Sequence, residues 1–181
     1  MAIDKIQSES INLADTFAFT GTVTGAGGVT QADTWRMNDT YSVSGGTDTL
    51  INQYWERSDN TGYGRIGTGM TESSGIFTFP ETGIYYIDHG FRTNASGSSN
   101  YITVYLSGTT DNSNYNQFTE AYIFSSSGSV YASGSANCLF DVTNTSNCKV
   151  KFTMRSASNI VFAGNTGENQ TYATFIRLGN T

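Results

Sequence analysis

The sequence GIFTFPETGIYY, residues Gly75 to Tyr86, gives the clearest indication of how this chain folds. Two stretches rich in aromatic and β-branched residues are joined through Pro80, the only proline of the chain, and a tight turn at Glu81 and Thr82. Aromatic and β-branched residues favour strands, whereas proline and glycine mark the turn between them. The stretch therefore predicts two consecutive β-strands connected by a short turn.

The strand pattern extends along the chain from this stretch. Residues 101–106 (YITVYL) are a strong strand sequence, and in residues 148–155 (CKVKFTMR) apolar and polar side chains alternate, which is the period of a half-buried strand. Such strands, separated by Gly, Ser and Asn at intervals of roughly 8–12 residues, predict an all-β jelly-roll sandwich of two antiparallel sheets. We interpret residues 49–57 as one strand, and we expect the strands at 129–142 and 148–155 to form a hairpin.

Composition and charge exclude several classes of protein. The chain has 181 residues, of which 13% are charged and 13% aromatic, which fits one folded domain with a short appendage. Its net charge is −6 and its nine Lys and Arg are scattered, so we expect no nucleic-acid partner. There is no signal-peptide stretch and no run of the roughly 20 apolar residues that a spanning helix needs, so we expect synthesis in a cytosol and no membrane insertion.

The N-terminal residues read as an arm rather than as part of the domain. Residues 16–24 (TFAFTGTVT) alternate Phe and Val with small polar residues, which suits docking on another chain by strand addition. Residues 25–28 (GAGG) read as a hinge. We therefore divide the chain into an anchoring arm with its hinge, residues 1–28, and a head domain, residues 29–181. The arm residues that we expect to make the anchoring contacts are Ile3, Ile6, Ile11, Leu13, Phe17 and Phe19.

No constellation of catalytic residues stands out in the sequence. His89 is the only histidine, and it fits either the core or an oligomer axis. Cys138 and Cys148 flank the predicted hairpin turn, which leaves a cross-strand disulfide and two free thiols as alternatives. The loop that begins at Asp111 has alternating oxygen donors but lacks the Gly and Glu of a calcium loop, so calcium binding stays open. We expect a binding protein rather than an enzyme, and we assign no cofactor or metal site.

Two loops carry aromatic rings among small polar residues. Tyr63 lies in the sequence TGYG, and Tyr115 lies in NSNYN together with Asn112 and Asn114. Rings flanked by amides and hydroxyls can stack on sugars and hydrogen-bond to their hydroxyl groups. We take these four residues as candidate receptor contacts, and the alternative is that the rings cover the edge of the core.

The opening stretch resembles the signature of the globular head of complement component one q, which belongs to the tumour-necrosis-factor-like superfamily. Residues 172–178 (YATFIRL) resemble the closing aromatic strand of that head. The resemblance covers residues 34–178 and implies a compact trimer with ten strands in two sheets, in which the motif's aromatic residues face inward and its proline and second glycine form a turn. The motif residues are Gly75, Phe77, Pro80, Gly83 and Tyr85.

Residues 3–23 (IDKIQSESINLADTFAFTGTV) resemble the start of small virion structural proteins of marine tailed bacteriophages. Together with the head-domain resemblance, it leads us to expect a homotrimeric fibre or fibre-tip protein in the virion, held to other virion proteins by its arm and turned toward a host-surface glycan or protein. One alternative is a capsid decoration or head-fibre protein with a cementing role. Another is a virion-associated glycan hydrolase, for which the sequence singles out no pair of carboxylates.

Overall fold

The computed structural model describes residues 28–94, 98–125 and 131–181, and the regular elements in these ranges are β-strands. The six predicted anchoring residues of the arm, Ile3 to Phe19, lie outside the described residues. The strands, numbered along the chain, are β1 (Ala32–Met37), β2 (Tyr41–Val43), β3 (Thr49–Leu50), β4 (Trp55–Arg57), β5 (Thr71–Ser73), β6 (Ile76–Thr78), β7 (Gly83–Arg92), β8 (Ser99–Thr109), β9 (Asn116–Ser125), β10 (Ser133–Val142), β11 (Lys149–Ser156), β12 (Ile160–Phe162) and β13 (Tyr172–Gly179).

The strands form two large antiparallel sheets. The five-stranded sheet has the order β10-β7-β13-β1-β4, and the six-stranded sheet has the order β5-β6-β11-β8-β9, with β3 beside β11. This arrangement confirms the prediction of an all-β jelly roll. It also departs from the two-sheet count that the resemblance implies, because β2 and β12 pair separately as a small third sheet. The inward side chains of that pair, Val43, Ile160 and Phe162, join the common core.

Phe77 lies at the centre of the core, between the two large sheets. Its ring packs edge-on against Trp55, with the ring centroids 5.2 Å apart, and its centroid lies 5.2 Å from that of Phe175. Phe152 of β11 approaches it from its own sheet at 5.4 Å. Trp55 and Phe175 belong to the five-stranded sheet and Phe77 and Phe152 to the other, so this aromatic cluster joins the sheets.

The opening motif contributes Phe77 to this aromatic cluster and also forms the turn that follows β6. Phe77 and Tyr85 are both buried, and the Tyr85 hydroxyl donates a hydrogen bond of 3.0 Å to the carbonyl of Glu81 across the turn that contains Pro80. Gly75 has a φ of +83°, and a Cβ there would collide with the carbonyl oxygen of Ile51. Gly83 has a φ of +145°. Both positions therefore favour glycine, because it has no Cβ.

The single strand predicted over residues 49–57 is wrong. In the structure, β3 ends at Leu50 and belongs to the six-stranded sheet, whereas β4 begins at Trp55 and belongs to the five-stranded sheet. Between them, Tyr54 takes a φ of +67°, and the Trp55 indole N–H donates to the carbonyl of Ile51 at 2.9 Å. The chain changes sheets here, and Ile51 and Trp55 on either side of the break are both buried in the core. Local strand propensity does not indicate which sheet a residue joins.

The predicted hairpin between residues 129–142 and 148–155 is also wrong. β10 pairs with β7, and β11 pairs with β8, β6 and β3, so the connection between them crosses from one sheet to the other. Cys138 and Cys148 are consequently not cross-strand partners, and both thiols are free. Burial raises the pKa of the Cys138 thiol to about 11.

Candidate functional site

The outward face of the five-stranded sheet carries a row of apolar side chains that we call the apolar band. Strand register aligns Leu139 with Tyr86, Tyr86 with Ile176, Ile176 with Ala32, and Ala32 with Ile66. Directly paired residues of antiparallel strands share one face, so the band crosses the sheet from β10 to the segment beyond β1. Leu139 is 65% exposed and Ile66 is 48% exposed, so the band faces solvent in the isolated chain.

A polar row limits the apolar band on one side, whereas the apolar surface continues on the other. On one side, register aligns Asn137, Asp88, Thr174 and Thr34, and the hydroxyls of the two threonines lie 3.1 Å apart. On the other side, the exposed Leu178 continues the apolar surface along β13. A contiguous apolar surface rimmed by polar residues is typical of a protein–protein contact.

A second exposed apolar surface lies where the two sheets approach each other. β9 ends the order of the six-stranded sheet, and β10 ends that of the five-stranded sheet. At this edge, Phe124 is 70% exposed and Tyr131 is 62% exposed. Exposed edge strands with large apolar side chains are normally covered by another chain or element.

His89 lies in the core rather than on an outward surface. It is fully buried in β7, and its ring packs against Phe152 with the ring centroids 4.4 Å apart. Its Nδ1 donates to the carbonyl oxygen of Tyr172 at 2.8 Å. Burial lowers the pKa of His89 to about 4, so the imidazole is neutral at physiological pH. The structure therefore decides the choice that the sequence left open.

The two candidate receptor loops lie beside different sheets. Tyr63 is partly exposed and faces the Arg36 guanidinium, whose central carbon lies 5.9 Å from the ring centroid. Tyr115 is half-buried, and its ring lies 4.2 Å from the Lys151 ammonium on β11. Each loop tyrosine therefore packs on a cationic side chain of the sheet beside which its loop lies.

The Tyr63 loop is held by a buried arginine that the sequence analysis did not single out. The Arg36 guanidinium donates to Glu56 at 2.8 Å and to Asp59 at 2.8 Å. It also donates to the side chain of Asn60 at 3.1 Å. A charged group is buried at low cost only when it is paired and hydrogen-bonded, so these contacts explain how Arg36 can be buried beneath the loop. No sequence signal marks it, because its partners come from β4, which pairs with β1 in the sheet, and from the loop after β4.

The other loop is organised by Asp111. Its carboxylate accepts hydrogen bonds from the Thr109 hydroxyl at 2.8 Å, and from the backbone N–H groups of Ser113 and Asn114. The Asn114 side-chain amide also donates to it, and these donors hold the pKa of Asp111 well below its usual range. Asn112 has a φ of +62°, which completes the turn. The carboxylate therefore orders its own loop.

Among the described residues, no group of three or more His, Cys, Asp or Glu is placed to hold a metal ion. None of these residues belongs to a helix long and apolar enough to span a bilayer.

Tyr115 borders an open groove on the outward face of the six-stranded sheet, a feature that the sequence analysis missed. The groove has a volume of about 570 Å³ and is also lined by Tyr105, Lys151 and Arg155. These residues come from β8 and β11, which pair in the sheet. The alternation in 148–155 predicts an outward Lys151 and Arg155, but only the strand pairing shows that tyrosines stand next to them.

Comparison with solved structures identifies the fold. The crystal structure of murine APRIL at pH 5.0 superposes with a TM-score of 0.60 at 13% identity, covering 82% of this chain and 98% of that chain. The structure of Eiger TNF from S. frugiperda superposes with a TM-score of 0.59 at 13% identity, covering 83% and 93%. The PRD1 vertex protein P5 has a TM-score of 0.49, which is too low to support an argument.

No protein-family model matches the chain, and no curated protein matches its sequence. At these identities the likeness concerns the fold alone. The described part of the chain therefore has the jelly-roll fold of tumour-necrosis-factor-like domains, as the head-domain resemblance predicted.

Proposed function

We propose that this chain is a homotrimeric structural protein of a bacteriophage virion, a fibre or fibre-tip protein without enzymatic activity. In this proposal residues 1–28 anchor it to other virion proteins, and residues 29–181 form the head that attaches to a host-surface glycan or protein. The observation that carries the proposed self-association is the apolar band, because a solvated apolar row on one sheet face favours a protein contact.

The shape of the exposed apolar surfaces favours a ring of identical chains. The apolar band lies on the sheet face, whereas Phe124 and Tyr131 lie at the β9–β10 edge. If the edge of one copy packs on the band of the next, two different surfaces meet, and such a head-to-tail contact builds a ring when the rotation between copies closes and a filament when it does not; the proposal takes the closed case. A ring of three copies is the smallest closed solution of this kind.

The proposed contact uses the β9 edge of the six-stranded sheet and leaves the groove residues Tyr105, Lys151 and Arg155, on β8 and β11, exposed. Three copies would then present three identical surfaces to a host cell, and linked weak sites bind together more tightly than one alone. This arrangement suits attachment through a repeated surface polymer.

The assignment to a virion is supported by the resemblance of residues 3–23, which lie outside the described residues. A capsid decoration or head-fibre protein is the second candidate, since the same arm and trimer would serve a cementing role. Locating the protein on imaged virions, on the tail or on the capsid shell, separates these two candidates, and its absence from the particle would reject both.

The division into arm and head is tested by removing residues 1–28. We expect the remaining chain to stay folded and trimeric by light scattering at micromolar concentration, and to lose its place in the particle. A monomeric full-length protein under the same conditions contradicts the trimer. A truncated chain that unfolds or aggregates contradicts the boundary, because the arm would then be part of the core.

A further inference from the structure

The outward face of the six-stranded sheet bears a continuous groove on the side opposite to the apolar band. Its smaller part, about 270 Å³, is lined by Tyr101, Tyr105, Tyr122 and Arg155. Its larger part, about 570 Å³, shares Tyr105 and Arg155 and continues past Lys151. From residue 101 to residue 107 of β8 the groove runs roughly 20 Å, since a strand rises about 3.3 Å per residue. It is long enough for an extended polymer rather than a single small molecule.

The register of three strands builds the smaller part around Thr103. Arg155 of β11 lies opposite Thr103 of β8, which in turn lies opposite Tyr122 of β9. Tyr101 and Tyr105 flank Thr103 along β8 on the same face, because side chains two residues apart point the same way. All four lining side chains are thus immediate neighbours of the Thr103 hydroxyl.

Two polar atoms in this part have no hydrogen-bond partner among the described residues. They are Oγ1 of Thr103, a residue that is fully buried, and Nε of Arg155. Buried polar atoms are normally satisfied, and leaving them unpaired is unfavourable. Both atoms lie under or beside the tyrosine rings, where an oxygen-bearing ligand that moves a ring can pair with them.

The charges of the groove differ from those of the whole chain. Arg155 is cationic, as a guanidinium is at physiological pH, and the Tyr101 hydroxyl beside it raises the pKa of Arg155 further. Its ion pair with Asp48 is long, at 3.5 Å, and both side chains are partly solvated. Lys151 adds a second cation, so the lining residues carry two positive groups and one carboxylate in a chain of net charge −6.

These features select one ligand chemistry. Tyrosine rings offer apolar faces for the C–H faces of sugar rings, and their hydroxyls offer hydrogen bonds. A guanidinium pairs with a carboxylate through strong, directional hydrogen bonds. We propose that this groove binds an acidic polysaccharide, a chain of carboxylate-bearing sugars, with Arg155 holding a carboxylate and the tyrosines stacking on the sugar rings. The inference rests on the proposed attachment function, for which it names the ligand class.

The test uses the full-length protein and two probes, an oligogalacturonate and an uncharged galactose oligomer of equal length. We expect calorimetry to show binding of the oligogalacturonate, with at least about tenfold weaker binding of the uncharged oligomer. Substituting Arg155→Gln should weaken oligogalacturonate binding by about tenfold or more, since it removes a charge-assisted pair. Lys149→Gln removes one positive charge from the same strand outside the groove, and it should leave binding unchanged.

Three results would overturn the inference: no binding of the oligogalacturonate, equal binding of both oligomers, or equal losses in the Arg155 and Lys149 variants. If Arg155→Gln fails to fold, Tyr115→Ala and Lys151→Gln test the same groove. A protein that is trimeric and virion-borne yet binds neither oligomer contradicts the groove alone. A protein that binds the oligogalacturonate but is absent from the virion contradicts the proposed function alone.

Discussion

The outward face of the five-stranded sheet and that of the six-stranded sheet expose different chemistry over the same core. The first presents aliphatic and aromatic side chains in one row, from Leu139 to Ile66. The second presents tyrosines together with Lys151 and Arg155 around a groove. An apolar row gains most from being covered by protein, whereas a polar aromatic groove keeps its hydration until a ligand displaces the water. We therefore expect the first face to serve the proposed assembly and the second the proposed recognition.

The largest expected effect separates the two faces by placing a carboxylate on each. Leu139→Asp puts a charge in the apolar band, where burial without a partner costs several kcal/mol per copy, so the proposed trimer should dissociate at micromolar concentration. Thr78→Asp is the matched control on the outward face of β6, and it should remain trimeric. Light scattering measures both, and a Leu139→Asp protein that stays trimeric would remove the assembly role from this face.

The next effect removes the support that both faces share. Phe77→Ala takes away the ring that contacts both sheets, and it should lower the free energy of unfolding by about 3–5 kcal/mol. Urea denaturation measures the loss, and both self-association and groove binding should fall with it. A change below about 1 kcal/mol would mean that the sheets are held together elsewhere.

Acid should lower the free energy of unfolding of the domain that carries both faces, through the buried His89. The folded state lowers the pKa of His89 to about 4 from an ordinary 6.5, so folding favours the neutral ring. This contribution is fully present above about pH 6.5 and is lost progressively as the pH falls toward 4, up to about 3 kcal/mol in all. Unfolding of wild type and His89→Gln, compared at pH 7 and pH 4.5, isolates it. Equal pH dependence in the two proteins would contradict the assignment.

The smallest expected effect concerns the groove alone. Tyr115→Ala removes a ring that packs on Lys151 at the surface, and it should cost less than about 1 kcal/mol of stability while leaving the trimer intact. Tyr115→Phe keeps the ring and should match the wild type in denaturant. If the Tyr115→Ala variant lost self-association, this would contradict the separate roles proposed for the two faces.

Local pattern predicted more of the strands than of their partners. The alternation in residues 148–155 identified the buried and exposed faces of β11, and the motif around Pro80 identified two strands and their turn. The break at Tyr54 was missed because no glycine or proline marks it, although its φ is positive. The predicted hairpin after Val142 failed because adjacent strands in sequence need not share a sheet in a jelly roll.

The candidate surfaces depended on register in the same way. Tyr63 and Tyr115 could be recognised in the sequence as loop aromatics. The cluster of three tyrosines around Arg155 could not, because its members come from β8, β9 and β11. The apolar band likewise combines residues more than a hundred positions apart. A sequence read locally shows which side chains point outward, and it does not show which of them meet.

By itself, the sequence determined that the head is all-β, where its central turn lies and which side chains alternate, since the two-residue period of a strand is a local property of the backbone. The tertiary structure decided which strands pair, where the chain changes sheets and which outward residues stand side by side. Those choices follow from burying Phe77, Phe152 and Trp55 in one core, a requirement that distant parts of the chain satisfy only together.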